Sequence, residues 1–451
     1  MLKEAVAYYN ELLEDFDLAE RSRLTLDEGL EDAKLIFGGR RLTPYLRPHF
    51  VTEDDWAKVT VRCETIWNAL QKVKDAAVGD DALLDELGVT GIERELVSID
   101  PKYQQVSPTA RLDSFLTDDA YSYVELNGES PAGIAYADSA TAIFEQLPVM
   151  RQFKERYEIR GMEGRSKLLD VLINCYREYL GGDFETKPVI AIVDLKDLPT
   201  QKEFELFRDY FESEGYRAVI CSPDELEFAG GKLKCRDTEI DLVYRRLLVN
   251  EYLPIIDEAP ALLEAYRAGA VCMANSFRSK LVHKKAIFAV LTNERYEHLF
   301  DETELSAIRA HVPWTRKFRS ERTEYYGDEI DLVEWTRMSQ SKLVLKPNDD
   351  YGGHGIYIGW ASTVEEWNKA IEMSLENGDY LVQERVKTAR EHFPMLDDVG
   401  NWHMIEQLVD LDPLLFNGKV GSAFTRLSSS ELANVSSGGG MVPTFIISGK
   451  E

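Results

Sequence analysis

The segment Leu343–Tyr357, LVLKPNDDYGGHGIY, ends an apolar run in Lys346 and follows it with Asp349, Asp350 and the glycines Gly352, Gly353 and Gly355. A lysine at a strand end, carboxylates able to hold a hard cation, and a turn free of Cβ atoms together suit a triphosphate–Mg²⁺ site. The spacing is neither a Gly-Lys-Ser/Thr phosphate loop nor a GxGxxG fingerprint, and the same residues also suit a β-hairpin with a glycine turn. A second set lies in Tyr121–Tyr136, YSYVELNGESPAGIAY. Strand alternation over Tyr123–Asn127 sends Glu125 and Asn127 to one face and Val124 and Leu126 to the other, placing two oxygen ligands side by side. Beyond it, Gly128, Ser130, Pro131 and Gly133 lead toward a helix expected over Ser139–Tyr157. A loop entering a helix N-terminus suits a carboxylate or phosphate.

Two basic pairs complete the chemistry. Lys284-Lys285 stands at a helix start, where a cation opposes the dipole unless an anion shares the site. Arg245-Arg246 ends an apolar strand, the end at which α/β sheets bind ligands. Either arginine could meet a substrate carboxylate. Arg40-Arg41, in a loop, reads as structural.

The elements that must position these residues follow from periodicity. Residues 1–95 form a helical region, with Leu2, Ala5, Val6, Tyr9, Leu12, Leu13 and Phe16 at helical spacing and Thr52 capping a long helix. Short strands are expected from Leu96–Asp100 onward, then Ala110–Phe115. The second region, 96–186, carries the Glu125–Asn127 strand. Region 187–270 reads as a small inserted α/β subdomain. It holds a buried strand (Pro188–Val193), a helix (Gln201–Glu214), a second strand (Ala218–Cys221), a Gly-Gly hairpin and the Ile240–Tyr244 strand. Region 271–451 contains Lys285, Lys346, a helix over Thr363–Asn377 and a strand ending in Gln383-Glu384. The closing strands are read at Trp402–Leu411, Pro413–Phe416, Ser422–Leu427 and Pro443–Ile447.

A net charge of −28 on 451 residues argues against a nucleic-acid or anionic-membrane partner. Five scattered cysteines without a CxxC pair suit a reducing cytosol and give no zinc site. The acidic amphipathic N-terminus is unlike a signal peptide, and no apolar run approaches membrane-spanning length. The expectation is a soluble cytoplasmic protein.

In their order, these motifs resemble the circularly permuted branch of the ATP-grasp ligases, which contains eukaryotic glutathione synthetase and glutathionylspermidine-synthetase-like proteins. The resemblance runs from Arg111 to Pro443, with Glu125-x-Asn127 ahead of the lysines as in the permuted branch. It implies an α/β (α+β) fold that binds ATP and about two Mg²⁺ ions. Glu125, Asn127 and Asp350 become metal ligands, and Lys285 and Lys346 phosphate ligands. Gly352 and Gly353 would cover the phosphates, and Gln383, Glu384 and Val386 would hold the adenine. Arg111, Ser130, Arg246 and Arg426 would contact the carboxylate substrate, with Arg111 and Arg426 nearest the reaction. Val435–Met441 is similar to a late glycine-rich lid. Tyr351, His354 and the short Asp350 depart from the family pattern, and Asp349 competes with Asp350 for the metal.

The resemblance implies an ADP-forming ligase joining a small-molecule carboxylate, on an amino acid or small peptide, to an amine through an acyl phosphate. It also implies a homodimer, although the residues themselves leave the oligomeric state open. A phosphotransferase and a non-catalytic nucleotide-binding protein are the alternatives.

Overall fold

The computed structural model describes residues 1–37, 40–105, 107–117, 120–396, 402–431 and 439–450. Five helices begin the chain: Leu2–Leu12, Phe16–Asp32, Glu53–Ala77, Asp81–Leu87 and Ile92–Ser98. Asp15, Thr52 and Asp80 cap three of them by accepting from backbone N–H groups of the first turn. Leu96 and Val97, expected in a strand, are buried on the last of these helices. Glu93 and Glu95 complement its N-terminus, and two adjacent apolar residues fit a helix face as well as a strand.

A six-stranded antiparallel sheet carries much of the cleft wall. Its strands run in the order Gly440–Val442, Lys419–Ser428, Trp402–Phe416, Thr109–Leu116 and Tyr121–Asn127, with Ala389–Leu396 also paired to Trp402–Phe416. Pro413 does not divide that long strand in two. It lies where one neighbour has ended, at Ala389↔Val409, and the next has not begun, at Leu414↔Arg111, so its missing donor costs no ladder bond there.

Strand Thr109–Leu116 pairs with Tyr121–Asn127 through a bulge, the register passing from Asp113↔Glu125 to Ser114↔Tyr123. The extra residue, Val124, breaks the expected alternation. Leu126 enters the core, whereas Val124 faces the cleft together with Glu125 and Asn127.

A parallel sheet follows, in the order Cys272–Ala274, Leu242–Arg245, Ile190–Val193 and Ala218–Cys221. Helix Gln201–Ser213 makes the crossover between Ile190–Val193 and Ala218–Cys221. Helices Ile134–Gln146 and Pro148–Phe153 replace the single helix expected over Ser139–Tyr157. Proline lacks the N–H needed to continue a helix and disfavours helical geometry at Leu147. Strand Tyr157–Arg160 then joins His49–Thr52 and Thr444–Gly449.

The fourth layer is an antiparallel sheet of Thr315–Lys317, Tyr380–Glu384, Leu343–Pro347 and Tyr357–Ile358, backed by helix Val364–Asn377. The largest core joins the first helices (Ala5, Tyr9, Leu26) to Phe144, Leu172, Ile192 and Tyr244, so the N-terminal helices share packing with the parallel sheet. Among the described residues no helix is long and apolar enough to cross a membrane, and all five cysteines are free and buried.

Candidate active site

The six-stranded sheet, the parallel sheet and the Leu343–Pro347 sheet meet around a cleft of about 680 Å³. Of the residues singled out from sequence, Arg111, Glu125, Asn127, Ser130, Arg246, Lys346, Gly352, Gly353, Gln383, Glu384, Val386 and Arg426 line it.

Lys285 and Lys346 converge on Glu125. Lys285 Nζ lies 3.3 Å from Glu125 Oε1 and donates to the Asp350 carbonyl. Lys346, at the end of its strand, donates to Gln383 Oε1 at 2.7 Å and to the Val124 carbonyl at 3.3 Å. Burial pulls its pKa down to about 8, with Glu125 opposing the shift and Lys285 adding to it.

The members of three neighbouring pairs have different partners. Lys284 is committed to Glu93 (3.1 Å) and Asp349 (3.0 Å), and Lys280 to Asp349 (2.6 Å). Asp349 therefore anchors the glycine loop. Asp350 instead closes a local turn, its Oδ1 accepting from Tyr351 N–H. Likewise, Arg245 is fully buried against Glu129, the Asn275 carbonyl and Ser279 Oγ. Arg246 reaches the cleft while donating to the Pro131 carbonyl and Tyr244 Oη.

The glycine loop needs its glycines. Gly352, Gly353 and Gly355 have φ of 72°, 76° and 66°, and a Cβ on Gly355 would lie 2.8 Å from Tyr380 Oη. Tyr351, in place of a glycine, donates from Oη to Glu251 Oε1 at 2.7 Å and ties the loop to the parallel-sheet side of the cleft. At the other end, both carboxylate oxygens of Glu384 accept tyrosine hydroxyls, Tyr325 at 2.7 Å and Tyr326 at 2.8 Å.

Asp113, Asp410 and Asp412 form a buried carboxylate cluster whose oxygens lie within 4.8 Å of one another. Arg426 sits among them, 2.6 Å from Asp113, 2.5 Å from Asp410 and 3.0 Å from Asp412. Arg111 binds Asp113 through Nε (2.8 Å) and Nη2 (3.1 Å) and donates to the Ala132 carbonyl. Two guanidinium charges already neutralise most of this cluster, so its centre suits Arg426 rather than a cation. Burial raises the Asp410 and Asp412 carboxyls, whereas the two arginines overcome burial at Asp113 and hold it well below the usual range.

Asp113 stands opposite Glu125 in the ladder and accepts from Asn127 Nδ2 at 2.9 Å. That orientation turns the Asn127 carbonyl oxygen away from Asp113. Glu125 and Asn127 thus offer oxygen donors of the kind a hard cation takes at this corner of the cleft, whereas both Asp113 oxygens already accept from Arg111, Arg426 and Asn127.

Sequence reasoning missed Asp410, Asp412, Asp194 and Glu251. The Asp410-x-Asp412 alternation was a usable signal, since both residues fall on one strand face. Arg40, read as structural, lines the cleft, while Arg41 pairs with Asp27. Of the expected late lid Val435–Met441, residues 435–438 lie outside the described residues. Gly440 and Met441 are strand residues, Met441 pairing with Arg426.

No protein-family model matches the chain. Over 350 residues it is 25% identical to an uncharacterized protein of Synechocystis sp., covering 72% of this chain and 66% of that protein. Over 429 residues it is 23% identical to a protein of Frankia casuarinae named "Putative glutamate–cysteine ligase 2-2", covering 89% of this chain and 46% of that one. The chain spans less than two thirds of the length of these curated relatives. Among solved structures, it superposes on a glutathione synthetase-like effector from Globodera pallida with a TM-score of 0.60 at 14% identity, over 95% of this chain and 96% of that one. The two chains share a fold. That fold is a mixed helix–sheet architecture.

Proposed function

We propose that this chain is an ATP-dependent carboxylate–amine ligase, built as a circularly permuted ATP-grasp with 187–270 as a substrate-side subdomain. The observation that carries the proposal is the convergence of Lys285 and Lys346 on Glu125, beside Asn127, where Glu125, Asn127 and Lys346 line the cleft and Lys285 is buried against Glu125. The shared fold with a glutathione synthetase-like protein and the name of the Frankia relative support the same class.

A carboxylate is inert to amines near neutral pH and must first be activated. In this reading the ATP phosphates lie against Lys285 and Lys346, under Gly352 and Gly353. The base lies toward Gln383, Glu384 and Val386, beside Val344, Ile356 and Ile358. Glu125, Asn127 and Asp350 would hold Mg²⁺, about two ions. Mg²⁺ supplies charge neutralisation on the phosphate oxygens when bound.

Arg426, oriented by Asp410 and Asp412, and Arg111, oriented by Asp113, face the acyl centre. There they stabilise negative charge that develops on the carbonyl oxygen. Ser130 and Arg246 orient the carboxylate donor. Loop 351–355, tied at Tyr351, keeps water from the acyl phosphate. The products are an amide, ADP and phosphate, on an amino acid or small peptide as donor.

The test is ADP release with Mg²⁺-ATP across a panel of amino acids and amines. Phosphate appearing free and in step with amide supports the ligase. Phosphate ending on the substrate shows a phosphotransferase, and no ATP binding in the presence of Mg²⁺ overturns the reading.

A further inference from the structure

The cleft has a second chemical end that the groups assigned above do not use. Asp194 follows strand Ile190–Val193 at its C-terminal edge, where a parallel sheet presents side chains to a ligand. The residue is 7% exposed and lines the cleft, and its carboxylate accepts from Leu195 N–H at 2.7 Å and has no ion-pair partner within 4.0 Å among the described residues. Glu251 lines the same wall, capping the Val249–Tyr252 turn through Leu248 N–H (3.1 Å) and accepting the Tyr351 hydroxyl. Asp194 and Glu251 act electrostatically on each other, and Asp194 also acts on the Tyr351 hydroxyl. All three residues line the cleft on the side where the glycine loop touches the parallel sheet.

A buried carboxylate that Arg246 influences without forming an ion pair, opening into a substrate cleft, is costly unless a ligand supplies more positive charge. We infer that Asp194, Glu251 and Tyr351 form the subsite for the acceptor, which is a primary amine bound as its ammonium ion, and that Asp194 removes the proton that blocks attack. This inference rests on the ligase reading. Burial, with a smaller contribution from Glu251 and opposed by Arg246, pushes the Asp194 carboxyl up to about 7, which suits a group that takes a proton near neutral pH.

The step balances as follows. The ammonium gives one proton to the Asp194 carboxylate, and the free amine attacks the acyl phosphate carbon. The C–N bond forms, and the C–O bond to phosphate breaks. Phosphate leaves with the bonding pair and takes the second nitrogen-bound proton, leaving the amide. Glu251 balances the ammonium charge before transfer. Tyr351 holds Glu251 toward the cleft and places the glycine loop over the amine.

The test compares two nucleophiles on the full chain with Mg²⁺-ATP and whichever amino acid supports most ADP release. Ethylamine is cationic near neutral pH and must lose a proton, whereas hydroxylamine is largely neutral and reports acyl phosphate formation as hydroxamate. In Asp194→Asn the ratio of ethylamide to hydroxamate should fall by about 100-fold, and in Glu251→Gln by about tenfold. A ratio within about twofold of wild type in both variants overturns the subsite and leaves the ligase reading standing. Wild-type protein that forms neither product from any carboxylate overturns both. Should Asp194→Asn fail to fold, Glu251→Gln decides by the same ratio.

Discussion

Lys285 Nζ lies 3.3 Å from Glu125 Oε1 and simultaneously holds the Asp350 carbonyl. One ammonium thus joins the strand that carries the proposed metal ligands to the loop that covers the phosphates. Replacing Glu125 or the neighbouring Lys346 should disable the centre without unfolding the chain, because both side chains line the cleft. Glu125→Ala and Lys346→Ala are each expected to lower ADP release by about 100-fold or more. Unchanged far-ultraviolet circular dichroism would show that the fold persists, and undiminished turnover would remove the assignment.

Lys346 should make nucleotide binding sensitive to alkali. Its pKa is pulled down to about 8, so the ammonium that meets the phosphates is lost as pH rises through that value. ATP affinity measured by titration calorimetry should fall above about pH 8, and Lys346→Met should lose affinity by at least about tenfold while removing the pH step. The same lowering costs stability. Below about pH 8 the folded chain carries a charge that water solvates better, and the unfolded chain binds more protons between about 8 and 10.5, so stability from this group rises with pH there. Lys346→Met should therefore raise the denaturation midpoint at neutral pH.

Arg426 holds together three carboxylates that would otherwise repel one another. Arg426→Ala should destabilise the protein by about 3–5 kcal/mol, the usual cost of stranding buried charge. Adding Asp412→Asn should recover part of that loss in denaturant titrations. Recovery of full stability by millimolar Mg²⁺ alone in the single variant would instead favour a cation at this cluster.

The anchor under the glycine loop predicts acid sensitivity. Glu129 lies 3.2 Å from Lys280 and 3.3 Å from Arg245, and the two cations overcome its burial and hold its pKa at about 2. A lowered carboxylate pKa contributes stability that is fully present above its ordinary value of about 4.5 and is lost as pH falls through about 2. The denaturant midpoint should decline over that window. Glu129→Gln should flatten the decline, and a slope identical to wild type would show that other groups dominate.

Gly355→Ala tests the loop. A methyl group there meets Tyr380 Oη in a backbone region that side chains rarely adopt. A cost of about 1–2 kcal/mol to the closed loop is expected, seen as faster proteolysis between 349 and 356 and slower ADP release. A variant with wild-type turnover and proteolysis would show that loop geometry does not limit the reaction.

Strand and helix positions that rest on strong periodicity or caps were legible along the chain. The helix read over Thr363–Asn377, the strand read over Pro188–Val193 and the Gly230-Gly231 hairpin all form, the helix running Val364–Asn377 and the strand Ile190–Val193. The strand ending at Asn127, the helix start at Lys285 and the strand carrying Lys346 also form where local pattern puts them. What sequence could not supply was partnership between distant segments. Lys284 and Lys285 are chemically identical neighbours, and only their burial against Asp349 and Glu125 respectively tells them apart. The same holds for Arg245 against Arg246, where one faces Glu129 and the other the cleft.

The bulge at Val124 turns on ladder register, which a single strand does not encode. Asp113, Asp410 and Asp412 belong to two strands separated by about three hundred residues of chain, and their meeting around Arg426 is a product of sheet order. The sequence by itself therefore determined which residue types were available for phosphate, cation and carboxylate chemistry, because local pattern fixes helix, strand and turn. Only the tertiary structure decided which of those charges neutralise one another and which face the cleft, because pairing and desolvation depend on neighbours that the chain order does not place together.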